Sequence, residues 1–192
     1  MVNKVYQIHV LLKNSKPRIW RRVIISSITL LSDLHKIIQT VMGWGNGHLN
    51  QFIKDGIYYS LPYGDEWFEF DSIDYTGKRI NELLLNEGDK LIYEYDFGDR
   101  WEHEIRLEQI LHPETPLKHP VCIKGKRNCP PEDCGGVWGY ADMLEILDNP
   151  QHKQYEDVIE WSGGEFDPDY FNLDEISEML KEDDFGCFDF DD

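Results

Sequence analysis

The chain has 192 residues and a mass of 22.7 kDa, with 37 Asp+Glu against 19 Lys+Arg and a formal net charge of −18. At 41% hydrophobic and 13% aromatic it can bury a core, unlike disordered acidic chains, which are poor in aromatics. The acidity argues against a general binder of nucleic acid or anionic membrane, because phosphate contacts need dense Lys and Arg.

The charge is uneven along the chain. Residues 1–53 carry a net +6, residues 54–159 a net −12 and residues 160–192 a net −12. No stretch approaches the roughly 18–20 apolar residues of a membrane span, and the N-terminus has no signal-peptide pattern, so a cytoplasmic protein is expected.

Val5–Leu12 and Ile19–Ile25 are rich in β-branched and aromatic residues and predict a hairpin across Lys13–Pro17. Leu30, Leu34, Ile37, Ile38 and Val41 form one apolar stripe at helical spacing. Thr29 is the expected N-cap of that helix and Gly43 its left-handed stop. Strands are expected at 48–53 and 57–61 around Lys54-Asp55-Gly56, with irregular chain over 62–78 and a short helical turn at 80–85.

Leu91–Asp96 and Trp101–Ile110 predict a second hairpin. With Gly98-Asp99 as a two-residue turn, Glu94 would face His103 and Ile92 would face Ile105. Residues 112–138 are rich in Pro and Gly and predict one strand, Val121–Lys124. Helices follow at 140–147, 152–161 and 172–181, the last with a capping box from Asn172 to Glu175. Asp167-Pro168 reads as a helix start.

The element order is that of a β-grasp (ubiquitin-like) unit: hairpin, helix, two strands, short helical turn, strand. The expected class is α+β with a mainly antiparallel sheet. It divides as a core with an added strand over 1–111, a Pro/Gly-rich loop and helices packed on that core over 112–182, and a flexible acidic tail over 183–192. The β-grasp reading requires the strands at Val5 and Leu91 to be parallel neighbours.

Several segments together resemble the plasmid pRiA4b ORF-3-like family over roughly residues 4–175. They are Ile19–Val23, Leu34-His35, Met42-Gly43-Trp44, His48–Phe52, Tyr93–His103, Gly125–Gly136 and Phe166-Asp167-Pro168. The resemblance implies a prokaryotic protein with links to plasmids or mobile elements. It brings no catalytic residue with it.

Three constellations could carry chemistry. Asp96, Asp99 and His103, with His48 or His35, combine carboxylates and imidazole as general bases and metal sites do. The competing reading makes Asp96 a turn cap and Glu94–His103 a cross-strand pair. His119, Cys122, Cys129 and Cys134 offer four zinc ligands within sixteen residues, but without two tight Cys pairs, so no metal or other cofactor is expected. Lys13, Lys16, Arg18, Arg21 and Arg22 make a basic hairpin, where Arg21 and Arg22 must point to opposite sheet faces.

No Walker A loop, Gly-x-Gly-x-x-Gly, Gly-x-Ser-x-Gly or His-Glu-x-x-His is present. Whether the chain is an enzyme is open on this reading. The leading expectation is a non-enzymatic protein-interaction module, with Arg18, Arg21, Arg22, Trp44 and Trp101 as binding candidates. The alternatives are a metal-assisted hydrolase using Asp96, Asp99, His103 and His48, and nucleic-acid association through residues 1–53, masked by the acidic tail.

Overall fold

A computed structural model describes residues 4–62, 72–164 and 166–187. Among these residues eight strands form one sheet: β1 (Val5–Leu12), β2 (Trp20–Ser26), β3 (Asn50–Lys54), β4 (Ile57–Ser60), β5 (Ser72–Asp74), β6 (Lys90–Tyr95), β7 (Trp101–Leu111) and β8 (Val121–Lys126). The helices are α1 (Leu31–Met42), α2 (Gly136–Leu147), α3 (Tyr155–Trp161) and α4 (Leu173–Met179). A 3-10 turn at Ile80–Glu82 matches the expected short helical turn.

The spatial order is β5-β4-β3-β6-β7-β1-β2-β8, and every pairing is antiparallel except β4 with β5. The fold is therefore α+β with a mainly antiparallel sheet. The neighbour relation required of a β-grasp core is not met. β7 pairs with both β1 and β6 and separates them, so β1 and β6 run parallel without touching. The strand expected to extend the sheet is inserted at its centre. Its eleven residues let it bond a full strand on each side.

Period-two patterning fixes the inner face. Tyr6, Ile8, Val10 and Leu12 of β1, Val23 and Ile25 of β2, and Leu91, Tyr93 and Tyr95 of β6 point into the core. The opposite face is polar, which an antiparallel sheet tolerates. There Arg22 forks onto Glu108 at 2.5 and 2.8 Å, and Lys13 pairs with Glu102. Helix α1 buries Leu34, Ile37, Ile38 and Val41 of its apolar stripe. Gly43 ends it in the left-handed conformation at φ 97°, as expected. Thr29 is not its cap: Leu30 holds that position, without a side-chain bond, while the Thr29 carbonyl accepts from the Ile80 amide at 3.0 Å.

The β6–β7 register differs by one residue from expectation. Tyr95 faces Trp101, Tyr93 faces His103, and Glu94 faces Glu102 instead of His103. Core burial decides this. Directly opposed residues share a face, so the expected register would have set buried Tyr95 against Glu102 on the polar side. The turn absorbs the difference with Asp96 and Arg100 at φ 56° and 57°.

Two of the later helices start differently from expectation but end where expected: α2 begins four residues earlier, at Gly136, and α3 starts at Tyr155. Asn172 caps α4 by accepting from the Asp174 and Glu175 amides. Asp167 caps a turn, bonding the Asp169 amide at 2.9 Å, and starts no helix. At the start of the tail, residues 183–186 form a 3-10 turn on α1, where Lys36 meets Asp184 at 2.9 Å and the Thr40 hydroxyl donates to the Phe185 carbonyl. Tail residues 188–192, and residues 63–71 of the stretch expected to be irregular, lie outside the described residues.

Candidate functional site

The β6–β7 turn, the segment after α1 and the Pro/Gly-rich loop meet at one end of the sheet. Trp44 lies under this junction, with its ring 5.2 Å from Tyr95, 5.7 Å from Trp101 and 5.1 Å from His103. Its indole N–H donates to the Pro130 carbonyl at 3.0 Å. Glu132 accepts from the Tyr95 hydroxyl at 2.5 Å and from the Gly45 amide at 3.3 Å. The Gly135 amide donates to Asp99 at 3.1 Å. Loop 128–136 is thereby tied down along its length.

At the surface of this junction His48, Asp96 and Asp133 converge. His48 Nε2 lies 3.9 Å from Asp96 Oδ2 and 3.5 Å from Asp133 Oδ1. Among the described residues this is the only group of three His, Cys, Asp or Glu side chains with ligand atoms all within 4.8 Å of one another. Asp96 is buried, and its Oδ1 accepts from the Gly98 and Asp99 amides, the turn-cap role. Glu94, also buried, meets Gln51 at 2.7 Å and Arg100 at 3.4 Å.

The expected Asp96–Asp99–His103–His48 cluster is thus divided. His48 and Asp96 come together. Asp99 turns to the loop backbone. His103 faces inward from β7 and is fully buried. Burial lowers its pKa to about 3, so the ring is neutral. His35 is also interior, bonded to the Tyr93 hydroxyl and to Asn46 Oδ1, each at 2.7 Å.

The binding candidates divide as well. Trp44 and Trp101 are core residues. Arg21 is buried, with its guanidinium donating to the carbonyls of Val41, Trp20 and Lys126 and stacked over Phe171. Its pKa is lowered by that burial. Arg22 is neutralised by Glu108 and only Arg18 of the three is exposed, so the basic hairpin is no continuous cationic face. The described part of the acidic tail, residues 183–187, meets α1 through Asp184 and Phe185.

His119, Cys122, Cys129 and Cys134 do not gather three ligand atoms at one point. Cys129 is buried, and desolvation holds its thiol well above the usual range; the same cause pushes Cys134 up to about 12. Asp133 and Glu132 were not singled out by sequence reasoning. They stand inside the Cys129–Cys134 segment, and no local pattern ties that loop to His48, 85 positions away.

The model of the plasmid pRiA4b ORF-3-like protein family matches residues 4–175. The chain belongs to this family. The chain is similar to "Uncharacterized protein y4hQ" of Sinorhizobium fredii, at 33% identity over 184 residues, covering 95% of this chain and 93% of that protein. It is also similar to the crystal structure of a protein of unknown function, MM3350, from Methanosarcina mazei Go1. That match has a TM-score of 0.80 and 36% identity, and covers 91% of this chain and 98% of that one. In this pRiA4b ORF-3-like chain the family segments containing Trp44, Tyr93, Tyr95, Trp101 and His103 supply the aromatic interior. Among the described residues no helix is long and apolar enough to cross a membrane.

Proposed function

We propose that the chain is a non-enzymatic protein-interaction module whose α2–α3 face receives a basic segment of a partner protein. The observation that carries this reading is the exposure of two tryptophans on these helices, Trp138 at 79% and Trp161 at 50%. Exposed single apolar residues are ordinary, but Trp is the side chain most enriched where partners bind tightly. The same segment, 136–161, carries six acids and only Lys153 as a base. Apolar anchors set in negative charge complement a partner that presents Lys or Arg beside aliphatic side chains.

Two further observations support it over the alternatives. A hydrolase built on His103 would need a base that reaches solvent, and that ring is buried and neutral. A nucleic-acid face on the first hairpin would need Arg21 and Arg22 free, and both are engaged within the fold.

The test is titration of the full chain with a synthetic peptide of alternating Arg and Leu, read by calorimetry. Binding should weaken at least tenfold in Trp138→Ala and weaken further with added salt. Equal affinity in the wild type, Trp138→Ala and Trp161→Ala, or no binding at low salt, would overturn the reading.

A further inference from the structure

We propose that His48, Asp96 and Asp133 form a binding site for a divalent first-row cation of the zinc or manganese type. The ion would clasp loop 128–136 onto the β6–β7 turn. The donors come from three separate segments, so the site is a product of the fold. Their separations, 3.5 and 3.9 Å from His48 Nε2, are too long for good hydrogen bonds. They suit an ion held between them: donors about 2.1 Å from a tetrahedral ion lie roughly 3.4 Å apart, and the three ligand atoms here all lie within 4.8 Å of one another, so the exposed Asp133 side chain has to close in on the other two.

A second observation points the same way. Asp96 is only 8% exposed, and its Oδ1 is taken up by two backbone amides, while Oδ2 lies on the side of His48, 3.9 Å from its Nε2. The Asp96 side chain is only 11% exposed, so little water reaches that oxygen and a cation placed there would meet a weakly solvated charge. No Lys or Arg pairs with Asp96 or Asp133 among the described residues, so two negative charges face one imidazole. A divalent ion balances them, and one nitrogen with two carboxylate oxygens suits zinc or manganese.

The surrounding bonds hold this geometry in advance. Glu132, adjacent to Asp133, is pinned by Tyr95 and Gly45, and Pro130 is pinned by Trp44. Such support around the ligands fixes their orientation before the ion arrives. The side chain of Asp133 is 72% exposed, which leaves a fourth coordination position to solvent.

The test uses the purified, tag-free full chain after chelator treatment, titrated with zinc chloride and with manganese chloride by calorimetry. One ion per chain should bind, and the thermal midpoint should rise with it. Asp133→Asn, whose site is exposed, should fold as the wild type does and lose at least tenfold in affinity together with the thermal shift; His48→Ala should behave likewise. Asp55→Asn, at a distant turn, should change neither. Absence of saturable one-to-one binding, or binding of equal strength in Asp133→Asn and His48→Ala, would overturn the proposal. The outcome is independent of the α2–α3 face, since neither Trp138 nor Trp161 contributes a ligand.

Discussion

Tyr93 and His103 face each other across the β6–β7 ladder, on the core side, with ring centroids 5.5 Å apart. The Tyr93 hydroxyl is bonded to His35 and Gln39 of α1, so this pair lies where helix and sheet meet. His103 thereby becomes a packing group, and its burial has a pH consequence.

Folded His103 has a pKa of about 3, below the ordinary imidazole value, so below about pH 6.5 the unfolded chain takes up a proton that the folded chain refuses. The stability owed to a neutral ring is complete above that pH. It is lost at roughly 1.4 kcal/mol per pH unit as pH falls toward 3. Urea unfolding should show wild type losing about 2 kcal/mol more than His103→Phe between pH 7 and pH 5. Equal losses in the two proteins would show that the ring titrates in the fold.

Arg21 is expected to matter for folding and Arg18 is not. Arg21→Ala strands the Val41, Trp20 and Lys126 carbonyls and removes the stack on Phe171. It should cost about 3 kcal/mol in denaturant unfolding, whereas Arg18→Ala should stay within about 0.5 kcal/mol. Similar small effects at both positions would contradict the buried role of Arg21.

Gly136 has a φ of 67°, and a Cβ there would lie 2.4 Å from the Asp99 carbonyl oxygen. Gly163 shares a positive φ, 79°, but its Cβ would meet nothing within 4 Å. Gly163→Ala should therefore cost only the backbone term, about 1 kcal/mol, and Gly136→Ala clearly more, about 2–3 kcal/mol. Comparing the two urea midpoints checks that the loop and the β6–β7 turn are packed this closely.

Much of the fold is legible locally. The stripe Leu34–Ile37–Ile38–Val41 announces α1, Gly43 its end, Asn172 the start of α4, and the alternation in Val5–Leu12 the face of β1. The three-residue strand β5 carries no such signal, because so short a strand shows no period. The β6–β7 slip is instructive: Gly98-Asp99 suggested one turn, but the demand that Tyr93, Tyr95, Trp101 and His103 share the core face outweighed it. At the candidate site, His48 and Asp96 were visible as residue types. Asp133 was not, because its role depends on a contact between its loop and the segment after α1.

Element type, patterning and the polarity of charge along the chain follow from neighbours a few residues apart, and the residues alone were enough for these. Strand order, the insertion of β7 between β1 and β6, the burial of Arg21 and His103, and the meeting of His48 with Asp133 depend on segments tens of residues apart. Packing settles these, because a side chain's chemistry changes with what surrounds it. An arginine ringed by carbonyls is scaffold, and an aspartate beside a histidine from another loop is a candidate ligand.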